Sequence, residues 1–93
     1  MMRKYFSSSF IILMYLAENE QQRYSASAIR LGTGLSLQTV YDKLEDLQEL
    51  NFIKYIMFKG TKVYTTTADG QEIGNDLSYI RGEIIGIIRN KDL

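Results

Sequence analysis

Two short stretches of this chain gather the side chains that could do chemistry, and both offer hydrogen bonds and positive charge. In the first, Ser36, Gln38, Thr39, Tyr41, Asp42 and Lys43 fall within eight positions. The Gln38 amide presents a donor and an acceptor together, the pair that matches the major-groove edge of adenine. Thr39 can donate to a phosphate or touch a thymine methyl. Asp42 can accept from the amino group of cytosine, or simply repel a nucleic-acid backbone. Tyr41 offers a hydroxyl and a ring, and Lys43 a charge for phosphate. Ser36 stands where a helix begins, and the positive end of a helix favours phosphate. The second stretch is Lys59-Gly60-Thr61-Lys62, two ammonium groups around a glycine. Arg30, Arg23, Arg3 and Lys4 are further phosphate candidates, with Arg30 the best placed. Against this stands a plainer alternative, in which the first stretch is a solvated helix face and the second a lysine-guarded turn that blocks edge pairing.

Other chemistries are poorly served. The chain has no histidine and no cysteine, which removes the usual ligands and nucleophiles of zinc, iron–sulfur and thiol chemistry. No nucleophile–base pair and no glycine-rich phosphate loop before a helix can be found. The expectation is therefore a binding protein without a cofactor or metal, not an enzyme.

With 93 residues, 45% of them hydrophobic and 24% charged, the chain fits one domain over 1–93. A domain of this size buries only a modest fraction of its surface, so an additional interface would help it. Eleven basic and eleven acidic residues cancel, which argues against a non-specific nucleic-acid coat. The balance is uneven along the chain, with a slight positive excess up to Lys62 and a compensating acidic tail. The longest apolar run, 10–17, is too short to span a bilayer, and no signal peptide is apparent. The expectation is a cytoplasmic protein, associated with DNA and not with membrane.

The elements that must position these residues can be read from caps and periods. Serines at 7–9 precede an apolar run that predicts a helix over about 8–19. Its apolar residues go almost all the way round, so both faces should be buried. One face would pack on the domain itself and the other, including Phe10 and Met14, on a second subunit. A polar connection over 18–23 leads to a short helix capped by Ser25 and ended by Gly32-Thr33-Gly34. Ser36 caps the next helix, along which Val40, Leu44, Leu47 and Leu50 follow on one face. Asn51 tolerates the left-handed backbone needed to leave it. The acidic Glu45, Asp46 and Glu49 should keep the back half of this helix away from DNA. Two β-prone runs, 52–58 and 62–66, flank a hairpin turn at Lys59-Gly60-Thr61. Thr67 caps a last helix over 68–93, where Ile73, Leu77, Ile80, Ile84 and Ile87 repeat like a heptad seam. That seam is longer than so small a domain can cover, and predicts dimerisation. Gly70 and Gly74, then Gly82 and Gly86, lie four apart and would let another helix approach closely.

The order of helix, helix, helix, hairpin and long helix, with a tight glycine turn between the second and third helices, predicts an α+β, mostly helical winged helix-turn-helix. In that fold the helix opening at Ser36 enters the major groove of duplex DNA. The hairpin tip then reaches phosphates or the adjacent minor groove.

Two stretches resemble known families. The segment 39–47, followed by Asn51-Phe52-Ile53, is similar to the recognition helix of PadR-like regulators and its exit into the wing, where glycine is usual at the place of Asn51. The segment 62–70 resembles their passage from wing to dimerisation helix, where leucine is commoner than Thr66. The chain also resembles MarR-like regulators and the small winged-helix proteins of archaeal viruses and plasmids, including AspA-type plasmid partition proteins. The resemblance implies a homodimer on a pseudo-palindromic DNA site, acting as a transcription repressor. The alternative it implies is a partition-site binder that spreads along DNA, forming higher-order assemblies or meeting a segregation partner. A winged helix that contacts only protein is kept open by the neutral charge and by Asp42.

Overall fold

The computed structural model describes residues 6–19 and 22–92. The elements are α1 (Ser8–Glu18), α2 (Ala26–Thr33), α3 (Leu37–Glu49), β1 (Ile53–Phe58), β2 (Thr61–Thr66) and α4 (Ala68–Asp92). Each helix start is chemically marked. Ser7, Ser25 and Ser36 sit in extended backbone, and each Oγ accepts an N–H three residues on, satisfying a donor that the first turn leaves free. Thr67 does the same for α4 by accepting from the Gly70 N–H, while its hydroxyl donates to the Asn51 carbonyl. The exits are marked as well. Gly34 closes α2 in the left-handed region at φ 75°, and Asn51 takes φ 60° just after α3.

Helix α1 is the centre of the fold. Ile12, Leu13 and Leu16 meet Ala26 and Ile29 of α2, Val40, Leu44 and Leu47 of α3, and Ile53 and Tyr64 of the hairpin. The second face of α1, expected against another subunit, is covered by α4 of the same chain. Gln71 Nε2 donates to the Ala17 carbonyl (2.7 Å), and Arg81 pairs with Glu18. Met14 is accordingly 1% exposed. It is spent within the chain, because α4 folds back along α1 before it runs out.

Leu50, expected to end the α3 seam, does not join the core. Its neighbours Val40, Leu44 and Leu47 are buried, but Leu50 is 60% exposed. It is the C-cap residue, and the left-handed turn at Asn51 swings the chain away. Phe52 packs on the core in its place.

The hairpin turn is tighter than the three residues expected. Phe58 already pairs with Thr61, leaving Lys59 and Gly60 as a two-residue turn with both φ values positive, 51° and 79°. That is the type I′ geometry that follows strand twist. A side chain at Gly60 would meet nothing within 4 Å, so Gly60→Ala should lower stability through backbone strain alone, by about 1 kcal/mol. A urea midpoint unchanged by that substitution would contradict the turn.

One pairing had no sequence signal. Tyr24, which lies between the polar connection and the Ser25 cap, makes an isolated bridge with Tyr64, its N–H donating to the Tyr64 carbonyl (3.1 Å) and its carbonyl accepting in return (2.8 Å). The bridge ties the start of α2 to the hairpin. Among the described residues no helix is long and apolar enough to cross a membrane.

Candidate nucleic-acid interface

Burial of Val40, Leu44 and Leu47 turns the other faces of α3 outward. Ser36, Gln38, Tyr41 and Asp42 are exposed, and Thr39 and Lys43 half-buried. The first turns are organised by their own hydrogen bonds. Ser36 Oγ accepts from the Thr39 N–H (3.2 Å) and donates to Thr39 Oγ1 (2.9 Å), and Gln38 Nε2 donates to Asp42 Oδ1 (3.1 Å). Asp42 therefore orients the Gln38 amide as well as repelling anions. Lys43 lies 3.9 Å from Asp46, an exposed pair worth little and easily exchanged for another anion.

The hairpin forms a wing that stands off the core. Only Ile53 of β1 is buried. At the tip Lys59, Gly60, Thr61 and Lys62 are all exposed. Both ammonium groups lean on aromatic rings, Lys59 Nζ 5.4 Å from the Phe58 centroid and Lys62 Nζ 4.4 Å from that of Tyr55. Such contacts hold a cation loosely while leaving it available to phosphate. Tyr41 of α3 lines one cleft together with Gly60, Thr61 and Lys62 of the wing, so the fold brings the two sequence stretches side by side. Arg30 is exposed in the last turn of α2, and Arg23 is exposed before it. Arg3 and Lys4 lie outside the described residues.

Several surface residues escaped the sequence reading. Leu37 falls on the α3 seam by spacing, yet it is 37% exposed because the first turn projects past the core. It adds an apolar contact suited to a thymine methyl. Leu31 is 74% exposed on α2. Ser25, Ser27 and Tyr64 share the cleft with Tyr41 and Lys62, a proximity created by the Tyr24–Tyr64 bridge and by no local pattern.

The long helix divides in two. Ile73 and Leu77 pack on the core, whereas Ile80 and Ile87 are 47% and 54% exposed and Ile84 is half-buried. The glycines divide with them. A Cβ at Gly74 would reach Ala17 and come within 3.1 Å of the Leu13 carbonyl oxygen, and one at Gly70 would collide with the backbone of Phe52. At Gly82 and Gly86 nothing lies within 4 Å. At about 1.5 Å per residue the helix is long enough to carry its outer half beyond the domain, which accounts for the 50 × 26 × 22 Å envelope. Phe10 is exposed at 42%.

No protein-family model matches the sequence, and no curated protein matches it. Solved structures do. A mutant of ZitR from Lactococcus lactis superposes with a TM-score of 0.81 at 21% identity, covering 90% of this chain and 57% of that one. F-93 of SSV1 gives 0.71 at 23% identity, covering 89% and 94%. MepR, described as a transcription regulator of the Staphylococcus aureus multidrug efflux pump MepA, gives 0.76 at 16%, covering 96% and 67%. The chain thus spans little more than half the length of ZitR and nearly all of F-93. At these identities the likeness establishes the fold, a winged helix with four helices and a two-stranded hairpin.

Proposed function

We propose that this chain is a site-specific duplex-DNA-binding transcription regulator that acts as a homodimer. The observation that carries the reading is the side-by-side exposure of the α3 leading turns and the Lys59–Lys62 wing tip. In this reading Gln38, Thr39 and Asp42 address base edges, and Ser36, Tyr41, Lys43 and Arg30 hold the backbone. Lys59, Gly60, Thr61 and Lys62 bring the wing to the neighbouring groove or phosphates. The exposed outer part of α4, with Ile80, Ile84 and Ile87 beside the open faces of Gly82 and Gly86, is where a second copy would pack, with Phe10 adding to it. The inner residues Ile73 and Leu77 support that helix from within. A two-fold pair would present two recognition helices and select a pseudo-palindrome.

Transcription regulation is supported by the fold shared with MepR, a transcription regulator, and repression is the form of it proposed first. Binding and spreading at a plasmid partition site would use the same contacts, with neighbouring dimers or a segregation partner added. The cytoplasm is the compartment this function implies.

Selection of bound sequences from random duplexes, followed by footprinting at rising protein concentration, tests the proposal. The expected outcome is an inverted repeat with half-site centres about 10 base pairs apart. A footprint confined to one operator supports repression, and one that lengthens with concentration supports partition. Sedimentation should give a dimer, and Ile84→Asp with Ile87→Asp a monomer. No enriched sequence, together with a solitary chain, would leave a protein-interaction role in its place.

A further inference from the structure

Between the start of α2, the exposed side of α3 and the inner face of the wing lies a cleft of about 300 Å³. Its polar lining converges from three elements. The N–H groups of Ala26 and Ser27 belong to the first turn of α2, where no intrahelical acceptor exists. The Ser25 cap is already engaged by the Ala28 N–H. No carboxylate lines the cleft, and Lys62 supplies its one positive charge.

The independent observation is Tyr64. Its side chain is a core member at 4% exposure, yet among the described residues its hydroxyl has no hydrogen-bond partner. Nor is that oxygen one of the sealed, unsatisfied atoms, so it reaches solvent at a residue that lines the cleft. A buried ring with a free polar end is costly unless that end meets water or a ligand. Burial, with the Tyr41 and Tyr55 hydroxyls nearby, pushes the Tyr64 pKa up from its ordinary value. The group is therefore a donor at neutral pH.

We infer that this cleft seats one backbone phosphodiester of duplex DNA in each half-site. The Tyr64 hydroxyl, the Ser27 side chain and the first-turn N–H groups of α2 donate to its oxygens, and Lys62 supplies the countercharge. The inference rests on the DNA-binding reading and adds Tyr64 and Ser27 to its contacts. The seat links the helix-turn-helix to the wing through one anion, and so sets the angle at which α3 meets the groove.

The test uses the selected duplex with a single neutral methylphosphonate placed at each backbone position in turn. Tyr64→Phe keeps the ring, and Ser27→Ala alters an exposed residue. Each should melt like the natural chain and lose at least about tenfold in affinity for the unmodified duplex, as expected for hydrogen bonds to a charged group. At one phosphate per half-site, the methylphosphonate should cost Tyr64→Phe clearly less than it costs the natural chain. A merely structural role for Tyr64 would weaken all positions alike, and that uniform profile overturns the seat. So does full affinity in both variants while the natural chain still binds DNA. Inorganic phosphate added to the free protein, if it perturbs Tyr64 while every methylphosphonate profile stays unchanged, assigns the cleft to free anions and also overturns it. Failure to bind any duplex removes both this inference and the reading beneath it.

Discussion

Gly70→Ala is expected to destabilise the chain by about 3 kcal/mol, at the upper end of what overpacking costs, with a matching fall in the urea midpoint. An added Cβ would fall on the carbonyl group of Phe52, its carbon 2.7 Å away. That carbonyl cannot turn aside, because its oxygen accepts from the Thr67 N–H (3.0 Å) while the Thr67 hydroxyl holds the Asn51 carbonyl (2.8 Å). The corner between α3, β1 and α4 is therefore locked by backbone, and α4 would have to lift off α1 to admit a methyl group. For a domain whose total stability is of the order of 5–10 kcal/mol, the loss should be evident at room temperature. The contrast lies one half-helix away. At Gly82 and Gly86 the same substitution meets nothing in the chain, and in a dilute single chain it should add up to about 1 kcal/mol each through helix propensity. A Gly70→Ala protein with the natural midpoint would mean that α4 does not start against the 51–52 corner. A loss at Gly82 that grows with protein concentration would place a second helix against it.

The affinity for DNA should fall steeply with salt despite the chain's zero net charge. Arg30, Lys43, Lys59 and Lys62 are the cations assigned to phosphate in each subunit, and a dimer presents them twice. Eight displaced counterions give a log–log slope of about −7. Between 50 and 200 mM salt that corresponds to roughly a ten-thousandfold loss. Net charge is a poor guide here, because most of the acidic groups lie on the back half of α3 and along α4, and Asp42 alone stands among the proposed contacts. Changing Lys59 and Lys62 to Gln removes four of the eight charges and should halve the slope, to about −3.5, while leaving the preferred sequence nearly intact. Gln38→Ala should do the reverse, relaxing base preference with the slope unchanged. Binding indifferent to salt would remove all four residues from the proposed interface.

The same residues show how far the sequence carries. Ser25, Ser36 and Thr67 could be read as caps because a cap acts on an N–H three residues away. Asn51, Gly34 and Gly60 could be read as exits and turns because positive φ is a property of one residue and its neighbours. The seam through Val40, Leu44 and Leu47 follows from helical period alone. Reading by period then overshot to Leu50, since period does not say where a helix stops being useful to the core.

Local chemistry along the chain is therefore enough for where helices begin and end, which face of α3 goes inward, and that a lysine-bearing turn follows it. Which surface covers which is a matter of packing between segments distant in the chain. Gly70 and Gly74 have the same spacing as Gly82 and Gly86, yet the first pair is filled by Phe52 and Ala17 while the second stands open. Met14 has the apolar character of an interface residue and is buried by its own chain. The bridge between Tyr24 and Tyr64 joins residues forty positions apart, and with it comes the cleft beside Lys62. These outcomes depend on the direction in which α4 and the wing leave their corners. That direction is set by the sum of many weak contacts distant in sequence, and so leaves no mark in any short stretch of it.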